Sequence, residues 1–339
     1  MMDMDFIKQM DKEHAETLSN EGKFQYYESL RSKLPFVEQI ETTNLCDCTC
    51  QMCPRGVGMM NRKLGAMSME MYTTIVDEIH EHFPNGYQPK NIEKRYSFED
   101  VVSIDFETTG LRLHHFGEPL LDKLLPERVA YAKENSNVDV HFSVNPTRLT
   151  PDLSIKLIKS GLKRLIIALD GTNDEEYKSI RGKRVDYDTA VKNIEELIRI
   201  KKEEKSDLII DLQMISMKQT KLQVEQFRKY WEGMGLNVYI KHFFPYPDVD
   251  HNEFTIEDEG NFKRGCMFPF TSMTIMRDGS VVPCCSDYNG EITLGNVNEQ
   301  SLKEIWNGEN YTQFRKNFIT NNLSEDSLCR RCGFYEFKD

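Results

Sequence analysis

Residues 46–53 read CDCTCQMC, four cysteines within eight positions. Three residues separate Cys46 from Cys50 and two separate Cys50 from Cys53, which gives the pattern C-x-x-x-C-x-x-C. Three thiolates on one short loop hold three irons of a cubane and leave the fourth iron open to another ligand. Zinc is the other reading, because Cys50-x-x-Cys53 and Cys329-x-x-Cys332 are two pairs that together make a closed four-sulfur site. The chain has nine cysteines in all, and the other five, Cys266, Cys284, Cys285, Cys329 and Cys332, fall in its last quarter. Such clustering, with an odd total, points to metal or cluster ligation in a reducing compartment rather than to a disulfide framework.

The elements that position these cysteines follow from periodicity. Strand-like runs are FVEQIETTN (36–44), LRLHHF (111–116), DVHFSV (139–144), RLIIALD (164–170), LIIDLQMI (208–215) and NVYIKHF (237–243). Helical stripes lie between them, Tyr72, Ile75, Val76 and Ile79 in one and Val191, Ile194, Leu197 and Ile198 in another. Thr150 before Pro151 opens a helix and Gly161 follows its end. Six strand–helix units in sequence predict an α/β fold, a partial (βα)6 TIM-like barrel whose functional loops sit at the C-terminal strand ends. Cys46 to Cys53 directly follow the first strand and so fall on that rim.

Residues 1–35 read as a polar helical extension, 36–250 as the barrel and 251–339 as a smaller α+β unit. The stretch 86–110 is a long insertion whose VVSIDF alternation predicts a strand. In the C-terminal unit, FTSMTIMRDGSVVPCC places two strand-like runs around Asp278-Gly279, a hairpin signal, and SLKEIWNGENYTQFRKNF reads as one helix. Lys and Arg total 43 against 55 Asp and Glu, and the net charge of −12 repels phosphate backbones and anionic lipid. Nucleic acid and membrane are therefore excluded as partners. With neither a signal-like start nor a membrane-length apolar run, the expected location is the cytoplasm.

The triplet after the first strand resembles the signature of the radical S-adenosylmethionine (radical SAM) superfamily, and the resemblance extends over nearly everything from residue 36 onward. It implies two bound cofactors at this site, S-adenosyl-L-methionine (SAM) and a [4Fe-4S] cluster on Cys46, Cys50 and Cys53. A fourth sulfur would close the cluster, which leaves Cys48 as the extra cysteine. Met52, before the last cysteine, corresponds to a residue packed near the adenine. HHFGEP (114–119) is similar to the family's Gly-Gly-Glu element, with Phe116 in place of the first glycine and Gly117 and Glu118 carrying the match to the SAM amino group. Ser143 and Asn145 resemble ribose and methionine contacts, and Arg181, within ALDGTNDEEYKSIRGK, resembles an arginine near the SAM carboxylate. For Ser143 and Arg181 a surface or capping role is the competing reading.

From Cys266 to Gly279 there are twelve intervening residues and from Gly279 to Cys284 four, followed by the distant Cys329-x-x-Cys332. This spacing resembles a shortened SPASM domain, called a twitch domain, and implies a second, auxiliary [4Fe-4S] cluster on Cys266, Cys284, Cys329 and Cys332. Cys285 is then either a small neighbour of Cys284 or a thiol that returns a hydrogen atom to a substrate radical. The architecture is similar to radical SAM dehydrogenases of aminocyclitols and to related sugar epimerases. It implies a small sugar- or cyclitol-type substrate, hydrogen removal from a carbinol carbon, and a flavodoxin- or ferredoxin-type electron donor. His242, Tyr246 and Asp248 on the rim after the last strand, with His114 after the second, are the candidates for a base or for hydroxyl recognition; Asp287 reads equally as a turn residue. Two alternatives remain open: a peptide-modifying radical SAM enzyme, and a zinc-binding protein without catalysis.

Overall fold

The computed structural model describes residues 12–87, 110–250, 252–256 and 266–332. The strand expected in VVSIDF lies outside them. Six parallel strands form consecutively, β1 (Val37–Ile40), β2 (Leu111–Arg112), β3 (Val140–Val144), β4 (Arg164–Ala168), β5 (Ile209–Ser216) and β6 (Asn237–His242). They are interleaved with helices α3 (Met69–His82), α4 (Leu125–Asn135), α5 (Pro151–Lys159), α6 (Asp174–Arg181), α7 (Tyr187–Glu203) and α8 (Val224–Gly233). This is the α/β partial barrel that the strand–helix alternation predicts.

The helices begin where short polar side chains accept a backbone N–H. Ser68 takes that of Met71, Thr150 that of Leu153 and Asp186 that of Thr189, each worth about 1 kcal/mol. On α3 the buried stripe is Tyr72, Ile75, Val76 and Ile79, as expected. On α7 the helix is turned from its expected face: Ala190, Ile194, Leu197 and Ile200 are buried, while Val191 and Ile198 are half-buried. Val191 instead lines an outer cavity of about 390 Å³ with Tyr187, Phe227 and Trp231.

The first two strands are much shorter than their sequence runs. Beyond Ile40 one ladder bond remains, from the Glu41 N–H to Ile275 O at 2.8 Å, and the chain then turns to build the site, with the Met67 N–H donating to Thr42 O at 2.8 Å and the Asn44 N–H to Gly65 O at 3.1 Å. Beyond Arg112, the Glu118 N–H donates to Leu45 O at 2.7 Å. Extended residues with these donors satisfied elsewhere have the strand's composition without its pairing.

The C-terminal unit shares the sheet. β7 (Met273–Ile275) pairs in parallel with β1 through Val37↔Met273 and Ile40↔Ile275, then β8 (Ser280–Val282) and β9 (Gly295–Asn296) follow antiparallel. The order is thus β6-β5-β4-β3-β2-β1-β7-β8-β9, nine strands in one sheet. Gly279, at φ 89°, makes the β7–β8 turn that Asp278-Gly279 predicts. A single turn, α9 (Phe268–Thr271), precedes β7. The single helix expected over 301–318 is two, α10 (Leu302–Asn307) and α11 (Glu309–Ile319), because Gly308 adopts ψ 168° between them. A last turn, α12 (Leu328–Arg331), carries Cys329 and ends at Cys332.

Two helices before the barrel, α1 (Lys12–Thr17) and α2 (Asn20–Leu30), pack on this unit rather than standing apart. Tyr27 lies 5.6 Å from Phe270, the Trp306 Nε1–H donates to Ser32 O at 2.8 Å, and Arg315 pairs with Glu28 at 3.5 Å. Inside the barrel a buried polar layer crosses neighbouring strands, with Glu38 against Arg112 at 3.3 Å and Asp211 paired with Arg164 and bonded by Asn237. Among the described residues no helix is long and apolar enough to cross a membrane.

Arg128, fully buried on α4, donates to Asp122 at 2.8 Å and to the carbonyls of Met67 and Ser68, holding α4 against the start of α3. Arg128→Met would leave Asp122 buried and unpaired. Urea unfolding followed by circular dichroism should show a loss of about 3 kcal/mol.

Candidate functional site

The loop carrying Cys46, Cys48, Cys50 and Cys53 is held by backbone contacts on both sides. The Arg55 guanidinium donates to Asn44 O at 3.1 Å and Cys46 O at 2.8 Å, and the Cys53 N–H donates to Cys50 O at 3.2 Å. Gly56 packs so closely behind this turn that a Cβ would lie 2.1 Å from Cys50 O. On the far side the N–H groups of Thr49 and Gln51 donate to the carbonyls of Arg181 and Ile180, each at 3.1 Å, docking the loop on the end of α6. Gly182, at φ 93°, faces Thr49 there with no room for a side chain.

Burial, together with the neighbouring thiols, raises the affinity of the Cys48, Cys50 and Cys53 sulfurs for protons. Burial, then Cys50, pushes Cys53 to about 11. For Cys48 the hydrogen bond with Cys46 comes first, and it rises to about 12. Cys48 is buried within the loop, where its sulfur accepts the Asn145 Nδ2–H at 2.9 Å. The Cys46 and Cys48 sulfurs and an Asp47 oxygen lie within 4.8 Å of one another, and Arg148 takes the Asp47 carboxylate. Thiols packed together with their one carboxylate engaged elsewhere suit a soft thiolate-binding centre, whose own positive charge would reverse the protonation preference.

Cys46, Cys50, Cys53, Met52, Gly117, Glu118, Ser143, Asn145, Arg181 and Tyr246 all line one cavity of about 190 Å³ at the C-terminal ends of the strands. The Glu118 carboxylate accepts the N–H groups of Asn145 at 2.9 Å and Leu120 at 3.1 Å, and burial raises it to about 7. Asn145 also accepts the Tyr177 hydroxyl at 2.7 Å. Arg181 donates to the fully buried Asp170 at 2.7 and 2.5 Å, and its Nη1 lies 3.9 Å from the Cys50 sulfur. Gly117 is required by packing, since a Cβ would stand 2.1 Å from Thr43 O.

The rim residues divide. Tyr246 stacks edge-on against Phe116 at 5.3 Å, and burial keeps its phenol well above the ordinary range. Asp248 is not in the cavity wall; at φ 67° it turns outward to Arg331 at 3.3 Å and accepts the Tyr288 hydroxyl at 3.4 Å. The His242 side chain lies outside the described residues. His114 lines the cavity, and its Nδ1 accepts the Ser143 N–H at 3.2 Å. Burial, then Arg112, lowers its affinity for protons well below the usual, so the neutral ring carries its hydrogen on Nε2. Asp287 is a turn residue whose carboxylate accepts the N–H groups of Gly290, Glu291 and Ile292.

In the C-terminal unit, Cys266, Cys284, Cys329 and Cys332 are electrostatic neighbours of one another and none is in a disulfide. Burial, then Cys332, lifts Cys329 to about 12. Four half-buried thiols gathered together, with no cationic side chain among the main influences on Cys266, Cys284 and Cys329, are what a thiolate-bound cluster requires. Cys285 is an electrostatic neighbour of Cys266, Cys284 and Cys332; burial, then Glu38, raises it to about 12, and its carbonyl is bonded by His115 Nε2 at 3.0 Å. Its thiol is absent from the cavity wall among the described residues.

Lys241, Gln213, His115 and Arg55 also line the cavity, and the fold adds Asp170 and Glu41 behind it. None stood out in the sequence. The available signal was weak: polar residues at inward positions of otherwise apolar strands, as in DLQMI and VYIKH.

The radical SAM superfamily model matches residues 90–219 and the SPASM iron-sulfur cluster-binding domain model residues 266–333. The S-adenosyl-L-methionine-dependent 2-deoxy-scyllo-inosamine dehydrogenase of Niallia circulans is 20% identical over 312 residues, 89% of this chain and 94% of that protein. The crystal structure of BtrN in complex with AdoMet and 2-DOIA aligns with a TM-score of 0.54 at 19% identity, over 87% of this chain and 91% of that one. That of Streptococcus suis SuiB bound to precursor peptide SuiA gives 0.53 at 16%, over 93% and 73%. At these identities the structural likenesses establish the fold.

Two outcomes test the site. Anaerobically reconstituted protein should contain about eight iron and eight sulfide per chain, Cys50→Ala about four of each, and Cys285→Ala about eight, by metal and sulfide assay; zinc alone would overturn the assignment. A carboxyl raised from 4.5 to about 7 contributes stability that is complete below about pH 4.5 and lost as pH rises through 7. In SAM-free holoprotein, Glu118→Gln should therefore reduce the fall in urea-unfolding stability between pH 6 and pH 8 by about 1 kcal/mol.

Proposed function

Taking the chain as a radical SAM protein with a C-terminal SPASM domain, we propose that it removes a hydrogen atom from a carbinol carbon of a sugar- or aminocyclitol-like substrate and oxidises that carbon. The observation that carries this reading is the likeness to the inosamine dehydrogenase along almost the whole of both chains. Cys46, Cys50 and Cys53 would hold the SAM-binding cluster, and Cys266, Cys284, Cys329 and Cys332 the auxiliary one. Bound SAM with its reduced cluster supplies the hydrogen-abstracting equivalent by reductive cleavage of the sulfonium, with electrons from a flavodoxin- or ferredoxin-type donor.

The chain's own residues do the positioning. Glu118, Ser143, Asn145, Met52 and Gly117 would hold SAM, and Asp170 fixes the Arg181 guanidinium beside Cys50. His114, held neutral with Nδ1 occupied by the Ser143 amide, offers Nε2–H to a substrate hydroxyl. Tyr246 stays a phenol and offers a second donor. Phe116, packed between Tyr246 at 5.3 Å and Tyr288 at 5.9 Å, lines the cavity with aromatic surface that would help exclude water. Oxidation is preferred to epimerisation because it needs no role for either spare thiol: Cys48 lines the cavity but accepts the Asn145 amide, and Cys285 neighbours Lys241 and Tyr246.

Peptide modification is a second reading, favoured by the likeness to SuiB, whose structure contains its precursor peptide. Incubating the reduced holoenzyme with SAM and candidate polyols in deuterium oxide separates the outcomes. The expected result is 5'-deoxyadenosine in step with an unlabelled carbonyl product. Deuterium at an inverted carbon, lost in Cys285→Ala, would instead establish epimerisation. 5'-Deoxyadenosine that rises only with peptide would replace the polyol reading by the second one.

A further inference from the structure

Lys241, next to last in β6, lines the cavity, and its electrostatic neighbours are Arg112, Arg181 and Asp170 on the barrel and Cys285 on the C-terminal unit. Among the described residues no hydrogen bond or ion pair joins it to a carboxylate, carbonyl or hydroxyl. The carboxylates nearby are committed. Asp170 accepts from Arg181 and from the Ile215 N–H at 2.7 Å, Glu38 from Arg112 and Ser272, and Glu118 from two backbone amides. The other cations at the wall are engaged too, Arg181 by Asp170 and Arg55 by the carbonyls of Asn44 and Cys46. A charged amine in a largely enclosed space without a counter-charge is costly, and proteins rarely leave one so unless a ligand completes it.

We propose that Lys241 is the specificity-determining residue for an oxyanion on the substrate, so that the polyol this enzyme accepts bears a carboxylate or a phosphate rather than being neutral or carrying an ammonium group. The inference rests on the small-polyol reading and narrows it. Burial, then the Arg112 charge, draws down the affinity of Lys241 for its proton, and an anion at Nζ offsets both. The same surroundings disfavour an ammonium group, since the Arg112 and Arg181 charges already act against the Lys241 amine.

The test is ligand-observed NMR titration of the reconstituted holoenzyme, with SAM bound, against D-glucuronate, D-glucose 6-phosphate, D-glucose and D-glucosamine. Wild type should bind one of the two anionic sugars about tenfold to a hundredfold more tightly than glucose, as a charge-assisted hydrogen bond dictates, and glucosamine most weakly. Which anion is preferred tells carboxylate from phosphate. Lys241→Gln should abolish the preference and Lys241→Arg retain most of it, with cluster absorbance and circular dichroism verifying that both variants fold. Glucose or glucosamine binding as tightly as the anions, or a preference that survives in Lys241→Gln because the amine only balances cluster charge, would overturn the inference and leave the polyol reading standing. Failure of all four sugars to bind would overturn both.

Discussion

The arrangement depends on one buried carboxylate. Glu41, the first residue beyond β1, is fully enclosed, and its two oxygens accept both Arg62 Nη groups at 2.6 Å, the Arg277 N–H at 3.2 Å and the Phe116 N–H at 3.4 Å, with His115 at 3.5 Å. Burial alone would push it up, but the hydrogen bonds and charges of Arg62 and His115 outweigh that and leave it at about 2. An ion in such a place costs several kcal/mol to desolvate, and its pairing recovers that only if every partner is in position. Four segments must therefore meet: the start of the cysteine loop, the residues after it, the loop bearing Gly117 and Glu118, and the β7–β8 turn. Arg62 extends the set by donating to Tyr288 O at 2.6 Å. The interaction contributes more to register than to net stability.

A similar logic governs the cysteine loop. Its shape comes from main-chain contacts, glycines without room for a side chain and one arginine spanning two carbonyls, so the sulfurs are presented by a frame built from the chain's own contacts. Asp170 does the same for Arg181, and Asn145 ties Cys48, Tyr177 and Glu118 into one connected group.

The parts of this that could be read from residue order are those in which chemistry is local. Cysteine spacing, the Asp278-Gly279 turn, the Thr150-Pro151 start and the α3 stripe each depend on a few neighbouring residues. The misreadings have the opposite character. β1 and β2 read as long because Thr42 to Asn44 pair with residues 65–67 rather than with neighbouring strands, and Phe116 bonds to the Glu41 carboxylate. α7 turned its stripe because Ala190 and Ile200, not Val191 and Ile198, face inward. Gly308 divided a run whose composition suits one helix, and Asp248 looked available until Arg331, eighty-three residues on, took it. Lys241 was invisible for the same reason: its distinction is that no described residue bonds it, which no spacing records.

The parallel pairing of β7 with β1 bears on how molecules come and go. β1 runs into the first cysteine set and the β7–β8 hairpin into Cys284, so the two sets hang from adjoining strands that main-chain bonds keep a few ångströms apart. Swinging the halves apart like a hinged shell would tear that ladder. The edges of the sheet are β6 and β9, so any relative movement that keeps every main-chain pair intact is confined to the flank between them.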